Sequence, residues 1–406
     1  MSNTNSDQNT ATAQHHTETR AAHAGRHPDD THGAVNVPVY HASTITFPTV
    51  AALKEKNGRK FDDVYYGRYG TPTTRAFDEA VADLEGGRWC VSVGSGMAAV
   101  SCTLMALLKA GDHLLMVDSV YWPTRNFCDT LLKNMGVRTT YYDPLIGAGI
   151  RDLIEPETRL VFTESPGSLT FETQDVRAIA EAAHAAGALV ALDNTWASPV
   201  LFRPFENGVD LSIQAATKYI VGHSDAMLGT ITMTDRALFE RVKTVAGQVG
   251  HAVGADEAYL GLRGLRTLPT RLRQHGESGV AVARWLQGRP EVERVLHPAL
   301  PEDPGHALWK RDFTGACGLF GVRLKKGPSP EAIAALLDGM RLFSMGFSWG
   351  GFESLILDTT ASISRSATAW THDGPVLRLH VGLEHPDDLI ADLEAGFARM
   401  AAADGR

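Results

Sequence analysis

From residue 72 onward the chain alternates short apolar runs with helix-length amphipathic stretches, the pattern of a layered α/β domain. "WCVSVGS" breaks at glycines and leads into "GMAAVSCTLMALLKAGD", whose Ala, Leu and Met residues favour a helix until Gly111 stops it. There follow the strand "HLLMVD", a helix around "TRNFCDTLLKNMG", the strands "RTTYYD" and "RLVFTESP", the helix "DVRAIAEAAHAAG" and the strand "ALVALDNTW". Runs this continuously apolar suit strands buried on both faces of a mostly parallel sheet. Ligands bind such sheets at the carboxyl ends of the strands, which is where the polar residues of interest fall.

The chain has 406 residues, more than a single core usually supports, so two domains are expected. Beyond about residue 256 an Arg-rich helical stretch leads into a smaller α/β unit, with strands near "CGLFGVRL" and "VLRLHVGLE". Pro269 is expected to bend or break that helix. The expected division is a tail and arm over 1–71, a cofactor-sized domain over 72–265 and a C-terminal domain over 266–406. The first twenty residues have neither an apolar h-region nor a basic n-region, so they read as a disordered, solvated tail rather than a signal peptide or a membrane span. His15 and His16 lack ligand-spaced partners and read as part of that tail, with no metal site. A net charge of −9 without any Lys/Arg run argues against nucleic-acid or membrane partners. Cys90, Cys102, Cys128 and Cys317 form no CxxC and sit in apolar segments, which suits reduced core thiols in a cytoplasm.

The stretch "SIQAATKYIVGHSDAMLGT" begins as a buried strand and then reaches Thr217 and Lys218. Most such lysines simply reach water or a carboxylate where the strand ends. The alternative is an amine kept in a pocket as the nucleophile for an aldehyde cofactor. Two other places bear on the choice. In "VGSGMAAV", Gly94, Gly96 and Met97 lie between a strand and a helix, either for turn geometry or to offer helix N–H groups to a phosphate. In "ALDNTW", Asp193 ends a very apolar strand, either as a turn former or as a buried carboxylate. A carboxylate and a lysine on nearby strand ends are what pyridoxal 5′-phosphate (PLP) requires: one keeps the pyridine nitrogen protonated, the other holds the aldehyde.

The segments "YYGRYGTPT", "SVGSGMAA", "VYWPTRNFC", "LDNTW", "QAATKYIVGHSDAM", "LRGLRTL", "RDFTGACGLF", "FSWGGFESL" and "LRLHVGLE" together resemble the Cys/Met-metabolism PLP-dependent enzymes, within them the bacterial cystathionine β-lyases, from about residue 20 to about 400. The resemblance implies the PLP-dependent transferase-like fold type I, with a large cofactor domain and a smaller C-terminal domain. It implies that Lys218 holds the cofactor, Asp193 pairs with its pyridinium nitrogen and Tyr121 stacks on the ring. Gly96, Met97 and Thr217 would hold the phosphate. Tyr66 and Arg68 match residues that reach the phosphate of a neighbouring subunit, so a complete site would need at least a dimer, and the family is usually a homotetramer. Arg378 would clamp the substrate α-carboxylate, with Ser348 and Trp349 beside it. Taken alone, Tyr121 and Trp349 would pass for core aromatics and Arg378 for a surface charge.

Two positions depart from relatives. Ala215 stands where many carry a phosphate-binding serine, and Tyr69 stands where β-lyases can carry a basic residue that meets the far end of the substrate. The implied activity is β-elimination of the small amino-acid thioether L-cystathionine to homocysteine, pyruvate and ammonia. Cleavage of other cysteine S-conjugates, or γ-chemistry, are the next readings. A PLP-binding regulator would have no need of Arg378, and a dinucleotide enzyme would need the GxGxxG that is absent.

Overall fold

A computed structural model of the chain describes residues 15–405. Its larger sheet has seven strands: β1 (Trp89–Val93), β2 (His113–Val117), β3 (Arg138–Tyr142), β4 (Thr158–Glu164), β5 (Leu189–Asp193), β6 (Leu211–Gln214) and β7 (Gly229–Met233). They lie in the order β1-β7-β6-β5-β4-β2-β3. Only β7 runs against the others, pairing antiparallel with both β1 and β6. The apolar interiors of β4, β5 and β6 are buried, while Glu164 and Asp193, the last residues of β4 and β5, keep partial exposure. The sheet therefore opens onto solvent at its carboxyl edge.

Four antiparallel strands form the second sheet: β8 (Val292–Leu296), β9 (Leu319–Leu324), β10 (Leu355–Asp358) and β11 (Val376–His380), in the order β10-β11-β9-β8. The helices Pro330–Asp338 and Pro386–Ala403 pack with it around a separate core containing Phe320, Leu336 and Phe397.

The helix joining the two cores does not break at Pro269. Ala255–Gln287 is one continuous helix of 33 residues with Pro269 inside it. An interior proline costs about 3 kcal/mol, whereas fully burying a leucine contributes about 1.5–3 kcal/mol. Leu265, Leu268 and Leu272 are at most 1% exposed in the large core, and Val282, Ala283 and Leu286 anchor the far end in the small one. Packing on both sides of Pro269 outweighs the lost hydrogen bond. Position 266, where a domain boundary was expected, lies inside this helix.

The start of the chain also differs from expectation. Thr17–His23 is a helix, so the last residues of the expected tail are structured. Arg20 pairs with Asp83 at 3.2 Å, and Arg266 donates to the Ala21 and Ala24 carbonyls at 2.9 and 2.7 Å. Ala21 is small enough to bury completely against these partners. Residues 1–14 lie outside the described residues. His15 and His16 are exposed, and no group of metal-binding side chains occurs among the described residues. The four cysteines are buried and unpaired, and no described helix is long and apolar enough to cross a membrane.

Candidate active site

Strand β6 stops at Gln214, and Lys218 sits four residues later in a tight turn rather than at the strand end itself. The turn is held by Lys218 N–H donating to the Ala215 carbonyl and Gly222 N–H donating to the Lys218 carbonyl, at 2.9 and 2.8 Å. Its amine donates to Ser348 Oγ at 2.6 Å and lies 5.4 Å from the centre of the Trp349 ring. Burial, reinforced by the Arg378 charge and opposed by Asp193, pulls the amine down to about 8. Near neutral pH a usable fraction of it is therefore the free base.

Asp193 accepts from the Thr195 backbone N–H at 3.0 Å and from its hydroxyl at 2.5 Å. The Thr195 hydroxyl in turn accepts from Ala215 N–H at 2.9 Å, tying the ends of β5 and β6 together. Burial raises the Asp193 carboxyl, the Thr195 bonds lower it, and Lys218 is the one cation that lowers it further. A cationic partner placed against it would relieve that cost.

The phosphate candidates lie across a close contact. Helix Gly96–Leu107 begins with Ser95 as its cap, whose hydroxyl accepts from Ala98 N–H. This leaves the N–H groups of Gly96 and Met97 at a helix start, where such groups have no partner within the helix. A Cβ on Gly96 would sit 2.5 Å from the Ala215 Cβ, so glycine is required here and the small residue at 215 is part of the same fit. Thr217 lies alongside, its hydroxyl donating to the Leu228 carbonyl and accepting from Leu228 N–H.

Tyr121 follows β2, is 47% exposed, and has its backbone N–H held by Glu164 Oε2 at 2.8 Å. Burial first, then Glu164 and Asp193, raises its phenol. On the opposite wall, Arg378 in β11 donates to the Ser348 and Gly346 carbonyls at 3.1 and 3.4 Å. The structure thus brings Lys218, Ser348, Trp349 and Arg378 into one contact network. Tyr66 and Arg68 lie elsewhere: Arg68 donates to the Gly247 carbonyl and stacks on Tyr66 and Tyr69. Tyr69 packs on Phe61, and a Cβ on Gly247 would meet its ring at 2.7 Å.

Sequence reasoning missed Ser95, Glu164 and Thr195. Glu164 carried the same signal as Asp193, a carboxylate closing an apolar strand, and the two are register partners in β4 and β5.

These residues fit PLP: among the described residues Asp193 forms no ion pair, Lys218 offers a partly neutral amine, and Gly96 and Met97 leave N–H groups at a helix start for a phosphate. The E. coli cystathionine beta-lyase MetC is 48% identical over 94% of this chain and 98% of its own length. A protein of Rhizobium johnstonii is 51% identical over 95% of this chain and 96% of its own. The crystal structure of metB from Corynebacterium glutamicum superposes with a TM-score of 0.88 at 31% identity, covering 95% of this chain and 98% of that one. The Cys/Met metabolism PLP-dependent enzyme family matches residues 18–398, and the chain belongs to it.

Proposed function

We propose that the chain is a carbon–sulfur β-lyase that converts L-cystathionine and water to homocysteine, pyruvate and ammonia. The observation that carries this reading is the buried Lys218 amine, which donates to Ser348 Oγ at 2.6 Å beside Trp349, with Arg378 donating to the Ser348 carbonyl. Likeness to the E. coli cystathionine beta-lyase over nearly the whole chain supports it. Bound PLP supplies an aldehyde for the substrate amine and a sink for the electron pair released at Cα.

The protein's residues do the rest. Arg378 receives the α-carboxylate in a bidentate grip, which turns the Cα–H bond toward Lys218. Lys218 Nζ, free of its proton, takes the proton from Cα and returns one to the departing sulfur. Asp193 would face the ring nitrogen of bound PLP and, as an anion, would keep that nitrogen protonated. Tyr121 covers one ring face, and Trp349 walls the side chain so that the Cβ–S bond is the one aligned to break. Water then completes the conversion of the released fragment to pyruvate and ammonia. Gly96, Met97 and Thr217 would hold the phosphate from one chain and Tyr66 and Arg68 would complete it from a neighbour, which would require at least a dimer and would be met by a homotetramer. The free, buried cysteines support a cytoplasmic location.

The test is to give purified holoenzyme L-cystathionine and assay both possible product pairs. Homocysteine with pyruvate is the expected outcome. Cysteine with 2-oxobutyrate would assign γ-cleavage instead and overturn the reading.

A further inference from the structure

Two residues beyond Arg378, strand β11 ends in His380, whose ring is 0% exposed beneath the loop that carries Ser348. Side chains alternate along a strand, so Arg378 and His380 share a face. His380 Nε2 lies 3.1 Å from the Gly350 nitrogen and 3.2 Å from the Gly351 carbonyl oxygen. It cannot serve both in one form. As a lone pair it accepts the Gly350 N–H; as an N–H it donates to the Gly351 carbonyl.

The surroundings exclude the doubly protonated ring. The titratable groups that face His380 are His275, at 5.3 Å between ring centres, Tyr219 at 5.8 Å, Arg378 and Lys218. None is an anion at neutral pH, because burial keeps the Tyr219 phenol protonated. A second proton on the ring has no counter-charge to meet. Its Nδ1 is buried with no hydrogen-bond partner among the described residues, so each neutral form leaves one buried N–H unpaired: the Nδ1 proton when Nε2 accepts, the Gly350 N–H when Nε2 donates. In both neutral forms Nε2 bonds the loop, at Gly350 or at Gly351.

That bond matters because of what Gly350 touches. Its φ is +87°, and a Cβ there would lie 2.9 Å from the Lys218 carbonyl carbon and from the Tyr219 nitrogen, so only glycine lets the two backbones meet. Two residues earlier the same loop turns through Ser348 at φ +79°, a region a non-glycine residue seldom occupies, and there it reaches both Lys218 and Arg378. We propose that His380, through the hydrogen bond its Nε2 makes to the Gly350–Gly351 backbone, is a positioning residue that sets the 348–351 loop against Lys218 and Arg378 together. This rests on reading the site as the PLP and substrate site.

The experiment compares holoenzyme carrying His380→Phe, which keeps a ring without an acceptor, and His380→Gln, which restores one. The pH midpoint of the bound cofactor's visible absorbance reports the Lys218 linkage and needs no substrate. His380→Phe is expected to move that midpoint by about one pH unit and to lower kcat/KM for cystathionine about tenfold. His380→Gln should recover most of both. In a Ser348→Ala background the Phe substitution should move the midpoint no further, since its effect passes through Ser348. A native midpoint in His380→Phe, or an undiminished shift in the Ser348→Ala background, would overturn the proposal. Should His380→Phe fail to fold, His380→Leu is read in the same way against His380→Gln: a shifted midpoint that Gln restores supports the proposal and a native midpoint overturns it. If cystathionine is not cleaved but the midpoint still shifts, the substrate assignment fails and this inference stands.

Discussion

The floor of the site and its rim are built on different terms. On the floor, Lys218 and Asp193 adjoin Leu192, Ile213, Ala216 and Tyr219, all at most 1% exposed, and their polar atoms are engaged by Thr195 and Ser348. On the rim, Tyr121 is 47% exposed, Tyr66 40% and Phe347 94%, and Arg68 turns toward Gly247. The difference follows from what each must do. Shifting the proton affinity of an amine or a carboxyl needs low dielectric and fixed neighbours, which one chain can supply by packing alone. Gripping a phosphate or covering a ring needs a partner that arrives later, so those side chains stay open.

The largest effect should come from breaking the floor. Lys218→Ala removes the amine proposed to carry the cofactor and move the proton, and cystathionine turnover should fall by about a thousandfold or more. Stopped assays on variant protein charged with PLP check this. Near-native turnover would mean that the tuned amine is not the catalytic one.

A second test sharpens the contrast without any substitution. The rate at which cofactor-free protein takes up PLP depends on the fraction of Lys218 that is neutral. With the amine lowered to about 8, uptake should rise steeply with pH and level off above about that value. Below it the neutral fraction falls about tenfold per pH unit. A lysine left untuned would keep gaining up to about pH 10.4, so a plateau displaced to that range would show that the floor does not depress the amine.

The same contrast explains what could be read in advance. Strands β4 and β5 were legible because each is an apolar run that ends abruptly in a carboxylate, and the helix after Gly96 because its composition favours nothing else. Strands β7, β8 and β10 were not: Thr230 and Thr232 break the apolar run of β7, Glu293 and Arg294 that of β8, and β10 reaches Asp358 after three apolar residues. That the helix continues past Pro269 was not legible, because local propensity carries no information about cores at both ends of a helix. The Lys218–Ser348 contact spans 130 positions, and neither residue's neighbours in sequence point to the other. Long-range contacts of this kind came from the resemblance to relatives or were missed, as Glu164 beneath Tyr121 and His380 beneath Gly350 were.

The smallest effect concerns the rim and asks whether one chain suffices. If Tyr66 and Arg68 complete a neighbour's phosphate site, Arg68→Ala should weaken PLP retention about tenfold, the loss of one charge-assisted contact, while leaving the Lys218 floor intact. A within-chain role at Gly247 would instead lower thermal stability and leave retention alone. Subunit exchange separates these accounts. Mixing Arg68→Ala with Lys218→Ala protein creates hybrid sites in which an intact Lys218 from one chain meets an intact Arg68 from the other. Under limiting PLP those sites should retain cofactor and turn over cystathionine faster than either parent. With exchange verified by mass, failure to exceed the parents would mean that each chain closes its phosphate site alone, and that the open rim serves substrate entry rather than assembly.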